Sequence, residues 1–174
     1  MNVVGKTHIG LVRENNQDTL EFGALGTVAQ YAVVCDGMGG ANGGNIASKI
    51  AVEVIGSRIR DGFDPDHGAA SVERLLASAM ATANVGVYER AQQQAELTGM
   101  GTTVVAVIVH GTQAYISHVG DSRLYIYRGG ELVQITRDLQ CDITGRNLIV
   151  VEDILDSGVT LSYLKQYLLV RKPA

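Results

Sequence analysis

Apolar residues recur along this chain at two spacings, and the switch between them outlines its elements. From Ile46 the apolar positions advance in steps of four, through Ile50 and Val54, with Ala47, Ala51, Ile55 and Ile59 beside them. That spacing puts one apolar face on a helix opening at Gly43-Gly44-Asn45. A second, longer helix is marked by the stripe Val72, Leu75, Leu76, Ala79, Met80, Ala83 and Val87, with Ser71 as its cap and Gln92-Gln93-Gln94 as its polar end. Met80 reads as packing within that stripe. Elsewhere the pattern is strand-like, over residues 31–35, 103–109, 113–119 and 123–127, with turns at 110–112 and 128–131. Residues 2–12 mix β-branched residues with Gly and read as one or two strands with a break. Strands, then two helices, then an antiparallel meander predict an α+β fold with its helices on one face of a sheet.

Composition narrows the partners. With 174 residues, 46% of them hydrophobic, the chain is long enough for one domain with a sizeable core. Fourteen Lys and Arg against eighteen Asp and Glu give a net charge of −4, which leaves no basic footprint for nucleic acid and no polybasic membrane patch. Cys35 and Cys141 lack neighbours at metal-ligand spacing and read as ordinary thiols. His67 sits among turn residues and is expected to be exposed. No apolar run approaches the length of a membrane span and the N-terminus lacks a signal-like segment, so the expected compartment is the cytoplasm.

Against that background two carboxylates stand out. Asp36 ends the apolar run Val33-Val34-Cys35 and is followed at once by Gly37-Met38-Gly39-Gly40, glycines that allow a tight turn and close backbone approach to a ligand. Asp121 occupies a similar place in Gly120-Asp121-Ser122, after another apolar strand. A lone Asp-Gly is an ordinary turn, and the polar run Arg13 to Asp18 is by itself an ordinary loop. Hard cations such as Mg2+ or Mn2+ favour such oxygen donors. Periodicity places both aspartates at strand ends or turns without bringing them together.

Four ordered motifs carry a resemblance. Arg13-Glu14-Asn15-Asn16-Gln17-Asp18, Val34-Cys35-Asp36-Gly37-Met38-Gly39-Gly40, Gly99-Met100-Gly101-Thr102-Thr103 and Val119-Gly120-Asp121-Ser122-Arg123 make residues 1–138 similar to the N-terminal part of bacterial type 2C (PPM) metal-dependent protein phosphatases. The resemblance implies a truncated phosphatase-like β-sandwich with two long helices, and hydrolysis of phosphoserine and phosphothreonine in a phosphorylated protein substrate. By position, Arg13 would hold the substrate phosphate, Asp36 would bridge two Mn2+ or Mg2+ ions with the Gly37 carbonyl as a further ligand, and Asp18 would support the site. Gln17 stands where many relatives carry Glu. Asp121 matches a position that helps hold a third, weaker metal. In such enzymes a water between the two cations attacks phosphorus in line. The relatives' later Ser-Asp-Gly and Asp-Asn motifs do not occur in this sequence, so weak activity or none is expected.

Residues 139–174 resemble a different family, the hypoxanthine phosphoribosyltransferases, through the stretch from Asp142 to Leu161. It reads as an apolar strand, a Ser-Gly-Val-Thr turn and a helix over residues 161–170, whose start can receive a phosphate. By resemblance, Glu152 and Asp153 would contact the ribose hydroxyls of phosphoribosyl pyrophosphate, Asp156 would sit near the purine, and Ser157, Gly158, Val159 and Thr160 would cradle the 5′-phosphate. The chain then reads as a chimera: a partial phosphatase domain over 1–138 followed by a strand-loop-helix segment, packed on it, with a vestigial site. A non-catalytic module that binds phosphate or nucleotide is the alternative. A third reading is an incomplete fold that self-associates through an uncovered sheet face.

Overall fold

The structure, a computed structural model, describes residues 2–128 and 131–135. Strands β1 (Asp18–Leu25) and β2 (Ala29–Met38) form an antiparallel hairpin, and helices α1 (Gly40–Gly62) and α2 (Ala69–Gln93) follow. A short 3-10 helix, Ala95–Leu97, leads to β3 (Gly101–Thr102), β4 (Val104–His110) and β5 (Gln113–Val119). One sheet has the order β1-β2-β4-β5, with β3 pairing the end of β2. The last two strands, β6 (Leu124–Arg128) and β7 (Glu131–Ile135), pair separately. The expected α+β arrangement is present, and β4, β5 and β6 lie within one residue of the expected strands.

The core lies on one face of the sheet. Tyr31, Val33 and Cys35 of β2 and Val104, Ala106 and Ile108 of β4 pack with Ala51, Val52, Ile55 and Ile59 of α1 and with Val72, Leu76, Ala79 and Ala83 of α2. The α2 stripe and the Ala51, Val54, Ile55 and Ile59 part of the α1 stripe face this core, with Met80 at its margin, whereas Ile46, Ala47 and Ile50 pack in a second cluster with Leu97 and Met100. Fully buried side chains such as Ile55, Ile59, Ile108 and Val33 each contribute about 1.5–3 kcal/mol through loss of apolar surface to water. Cys35 is buried and free, and burial pushes its thiol up to about 12, which keeps it protonated and inert. His67 is exposed and 3.5 Å from Asp64. No helix among the described residues is long and apolar enough to cross a membrane.

Three local expectations fail. Residues 2–12 form no strand; Gly5 lies against the sheet, so that a Cβ there would sit 2.5 Å from the Phe22 ring. Ser71 is not the cap of α2: the helix begins two residues earlier after Gly68, and the Ser71 hydroxyl accepts a hydrogen bond from Arg74 at 2.9 Å. Helix α1 starts at Gly40, a turn before the Gly43-Gly44-Asn45 break.

Strand β1 gives little sequence signal because its polarity is inverted. Its helix-facing positions carry Thr19, Glu21 and Gly23, paired with Cys35, Val33 and Tyr31, while Leu20 and Phe22 face away. Thr19 is satisfied by the buried Ser48 of α1 at 2.9 Å. Glu21 accepts from the Tyr31 hydroxyl at 2.6 Å and from Arg60, which also reaches Tyr31. Burial is the largest cause raising the Tyr31 pKa, and the Glu21 hydrogen bond adds to it. Polar residues thus occupy the core-facing side of β1 because α1 brings partners to them.

Candidate active site

The hairpin register decides where the acidic residues meet. Asp18 opens β1 directly opposite Asp36 near the end of β2, and residues so paired point to the same side of the sheet. Odd-numbered residues of β2 enter the helical core, so Asp36 and Asp18 lie on the opposite face. Asp36 is pushed above its ordinary carboxylate pKa, first by desolvation, then by the charge of Asp18 and a hydrogen bond with it, then by the charge of Asp121; Arg13 acts in the opposite sense. Asp18, Asp121 and Arg13 are therefore each within electrostatic reach of Asp36. Among the described residues no three His, Cys, Asp or Glu side chains close into a metal-binding group. Asp18 and Asp36 are the facing pair, and Asp121 adds its field from the turn after β5.

The backbone around Asp36 is held at close quarters. Gly37 donates its N–H to the Gln17 carbonyl at 3.1 Å, and that carbonyl also accepts from Ser48 Oγ at 2.6 Å. A Cβ on Gly37 would collide with the Gly44 carbonyl of α1 and lie 2.7 Å from the Gln17 carbonyl oxygen. Only glycine lets the end of β2 pass this close to the first turns of α1. Asn16 accepts from the Asp18 N–H at 3.1 Å and donates to Thr7 at 2.8 Å, which fixes the approach to Asp18.

On the other side the third motif brackets Asp36. Thr102 Oγ1 donates to the Asp36 carbonyl at 2.9 Å, and the Thr103 N–H donates to the same oxygen at 2.9 Å. Thr103 Oγ1 accepts from the Asp36 N–H at 3.1 Å and lies 2.5 Å from Ser122 Oγ. These supporting roles are not readable from the motifs alone. Thr102, Thr103 and Ser122 sit inside motifs whose aspartates draw attention, and Asn16 is one polar residue in a polar run. Ser48 leaves one trace, a hydroxyl beside the apolar stripe of α1.

Glu152, Asp153, Asp156, Ser157, Gly158, Val159 and Thr160 lie outside the described residues, as do Cys141 and Asp142.

Residues 4–142 match the family model described as Protein phosphatase 2C. The chain is 34% identical over 129 residues to the serine/threonine protein phosphatase PstP of Mycobacterium tuberculosis, covering 74% of this chain and 23% of the relative. It is 31% identical over 138 residues to the serine/threonine phosphatase stp of Listeria monocytogenes, covering 79% and 54%. The chain thus spans between about a quarter and about half the length of these curated relatives. Among solved structures, that of the Mycobacterium tuberculosis phosphatase PstP/Ppp superposes with a TM-score of 0.64 at 34% identity, over 74% of this chain and 51% of that one. The catalytic domain of PstP in complex with two manganese ions superposes with a TM-score of 0.61 at 33% identity, over 74% and 52%. With the four motifs in order and the sheet and helices in place, the chain belongs to the protein phosphatase 2C family.

Proposed function

We propose that this chain carries the N-terminal share of a metal-dependent phosphatase centre acting on phosphoserine and phosphothreonine in proteins. The observation that carries the reading is the Asp18–Asp36 pair, in register on the face opposite the helices, with Asp121 and Arg13 in electrostatic reach. The Asp36 pKa is raised first by desolvation and then by the charge of the facing Asp18, and a hard divalent cation fits there by charge and by donor type. Asp36, Asp18 and the Gly37 carbonyl are the proposed holders of Mn2+ or Mg2+, with Asp121 contributing to a further, weaker position. Bound there, such cations would supply Lewis-acid chemistry, acidifying a water and offsetting charge on phosphoryl oxygens. Arg13 receives the substrate phosphate through its guanidinium fork. Asp36 stays fixed in direction because Thr102, Thr103 and Gly37 hold its backbone on both sides.

Hydrolysis of p-nitrophenyl phosphate by the full chain, with and without Mn2+ and beside Asp36→Asn and Arg13→Ala, tests the reading. Slow turnover that requires Mn2+ and is lost in Asp36→Asn is expected, because the Ser-Asp-Gly and Asp-Asn motifs of relatives are absent from the sequence. Equal rates in all samples would refute it.

A second reading concerns the tail. The family match runs to residue 142 and so takes in the first residues of the phosphoribosyltransferase-like segment, most of which lies beyond it. On that sequence pattern alone we assign residues 139–174 a hypoxanthine phosphoribosyltransferase origin, making the chain a chimera with a vestigial phosphoribosyl pyrophosphate site. That ligand should raise the melting temperature of the chain, and Gly158→Val should abolish the rise; a flat response in the parent chain rejects the assignment. Exposed Phe22 and Val34 on the sheet face opposite the helices support self-association through that surface, which a monomer at all concentrations in sedimentation would exclude.

A further inference from the structure

We infer that the hydroxyl pair Thr103–Ser122 is a positioning device that ties the Asp36 strand to the Asp121 turn, so that cation affinity at the centre depends on two residues outside the ligand set. The inference rests on the phosphatase reading above. Thr103, nearly buried, meets the Asp36 backbone twice, giving its N–H to the carbonyl at 2.9 Å and accepting the Asp36 N–H on Oγ1 at 3.1 Å. A hydroxyl has one proton and two lone pairs, so Oγ1 still has capacity for Ser122 Oγ, 2.5 Å away, in either direction.

Ser122 follows Asp121 directly, and the turn that contains them is held at two further points. The Ser122 carbonyl lies 2.9 Å from His118 Nε2. Gly120 has φ of 97°, a conformation that favours glycine, and a Cβ there would sit 2.7 Å from Thr103 Cγ2. Two of the three restraints on the Asp121 turn therefore come from Thr103, the residue that also grips Asp36. A Val at 103 would preserve the shape but leave the Asp36 N–H without its acceptor and Ser122 without its partner. Thr103 and Ser122 act through the two aspartates, and His118 braces the same turn from β5.

The test is Mn2+ binding to the full-length chain, followed by electron paramagnetic resonance of the free ion, for the parent, Ser122→Ala, Ser122→Thr, Thr103→Val, Asp121→Asn and the double variant Ser122→Ala/Asp121→Asn. Residues that orient metal ligands change affinity by about 10-fold or more, so a weakening of about 10-fold is expected in Ser122→Ala and Thr103→Val, with recovery in Ser122→Thr. Within the Asp121→Asn background, Ser122→Ala should produce little further loss, because residues acting through one group are not additive. Since Thr103→Val can unfold the chain, Ser122→Ala, at a half-buried residue of an exposed turn, decides the matter. Parent-like Mn2+ affinity in Ser122→Ala, or an undiminished loss in the double variant, overturns the device while leaving the phosphatase reading in place. A parent chain with no Mn2+ affinity overturns both.

Discussion

The two faces of β2 have opposite duties. On one, Tyr31, Val33 and Cys35 are sealed under α1 and α2; on the other, Val34 is 45% and Met38 62% exposed and Asp36 meets Asp18. Alternation along a single strand thus separates stability from chemistry with no change of element. The helical side is a close-packed core in which each side chain is held by many neighbours, whereas the other side presents charge that favours a ligand over self-burial. Fold stability is therefore expected to track the odd-numbered residues and cation binding the even-numbered ones.

The largest effect should come from breaking the packed face. Ile55→Ala, at a site with no solvent exposure, is expected to destabilise the chain by about 3 kcal/mol in urea unfolding, because it removes buried surface and leaves a cavity. A loss below about 1 kcal/mol would mean that the core is looser than its burial indicates. Next, Gly37→Ala should cost about 2 kcal/mol through overpacking against the Gly44 carbonyl, and should also weaken Mn2+ binding, since it forces apart β2 and α1 where Asp36 is held. Calorimetric titration of Mn2+ into this variant at parent-like affinity would show that the close approach serves packing alone. On the open face, Val34→Thr should change stability by no more than about 0.5 kcal/mol, as expected of a partly exposed position.

The smallest effect is the dependence on pH, and its sign sharpens the contrast. The folded-state pKa of Asp36 lies above its unfolded value, so the native state binds the extra proton between the two. In metal-free buffer this group lowers stability at neutral pH, and the penalty is relieved as pH falls through the raised folded value toward the ordinary one. Asp36→Asn should flatten that part of a melting-temperature profile, and saturating Mn2+, by favouring the charged form, should reverse it, so that stability is lost on acidification as protons displace the metal. A steeper profile in Asp36→Asn would show that the carboxylate does not experience the repulsion described.

Much of this was legible from the chain, for reasons that differ by element. The helices and β4 to β6 follow period and turn chemistry, so these elements appear close to where the spacing puts them, but the expected meander stops at β5, because β6 pairs with β7 in a separate sheet. Strand β1 does not, because Thr19 and Glu21 point toward the helices and depend on Ser48, Tyr31 and Arg60, partners distant in sequence. Arg13, Asp18, Asp36, Gly37 and Asp121 follow from motif resemblance, but periodicity does not bring Asp36 and Asp121 together. That proximity depends on Thr103 and on the positive φ of Gly120, both effects of tertiary contact. Residues 2–12 illustrate the opposite failure: their β-branched composition suggests a strand, yet Gly5 lies against Phe22 without a ladder.

The β1–β2 hairpin turns through Gly26, Thr27 and Val28, with Leu25 opposite Ala29 and Asp18 opposite Asp36 at the far end. Seven residue steps separate the turn from the carboxylate pair, a distance of roughly 24 Å at strand rise. The facing of the two carboxylates is thus a matter of counting from a turn at the other end, and a slip of one residue would send Asp18 into the helical side. Everything needed to set that count lies between residues 18 and 36, and hairpins of this kind close in about 1–10 microseconds. The facing of the acidic pair is thus fixed by local turn geometry, while α1 supplies Ser48 and Arg60 to the polar residues on the other side of the same strand.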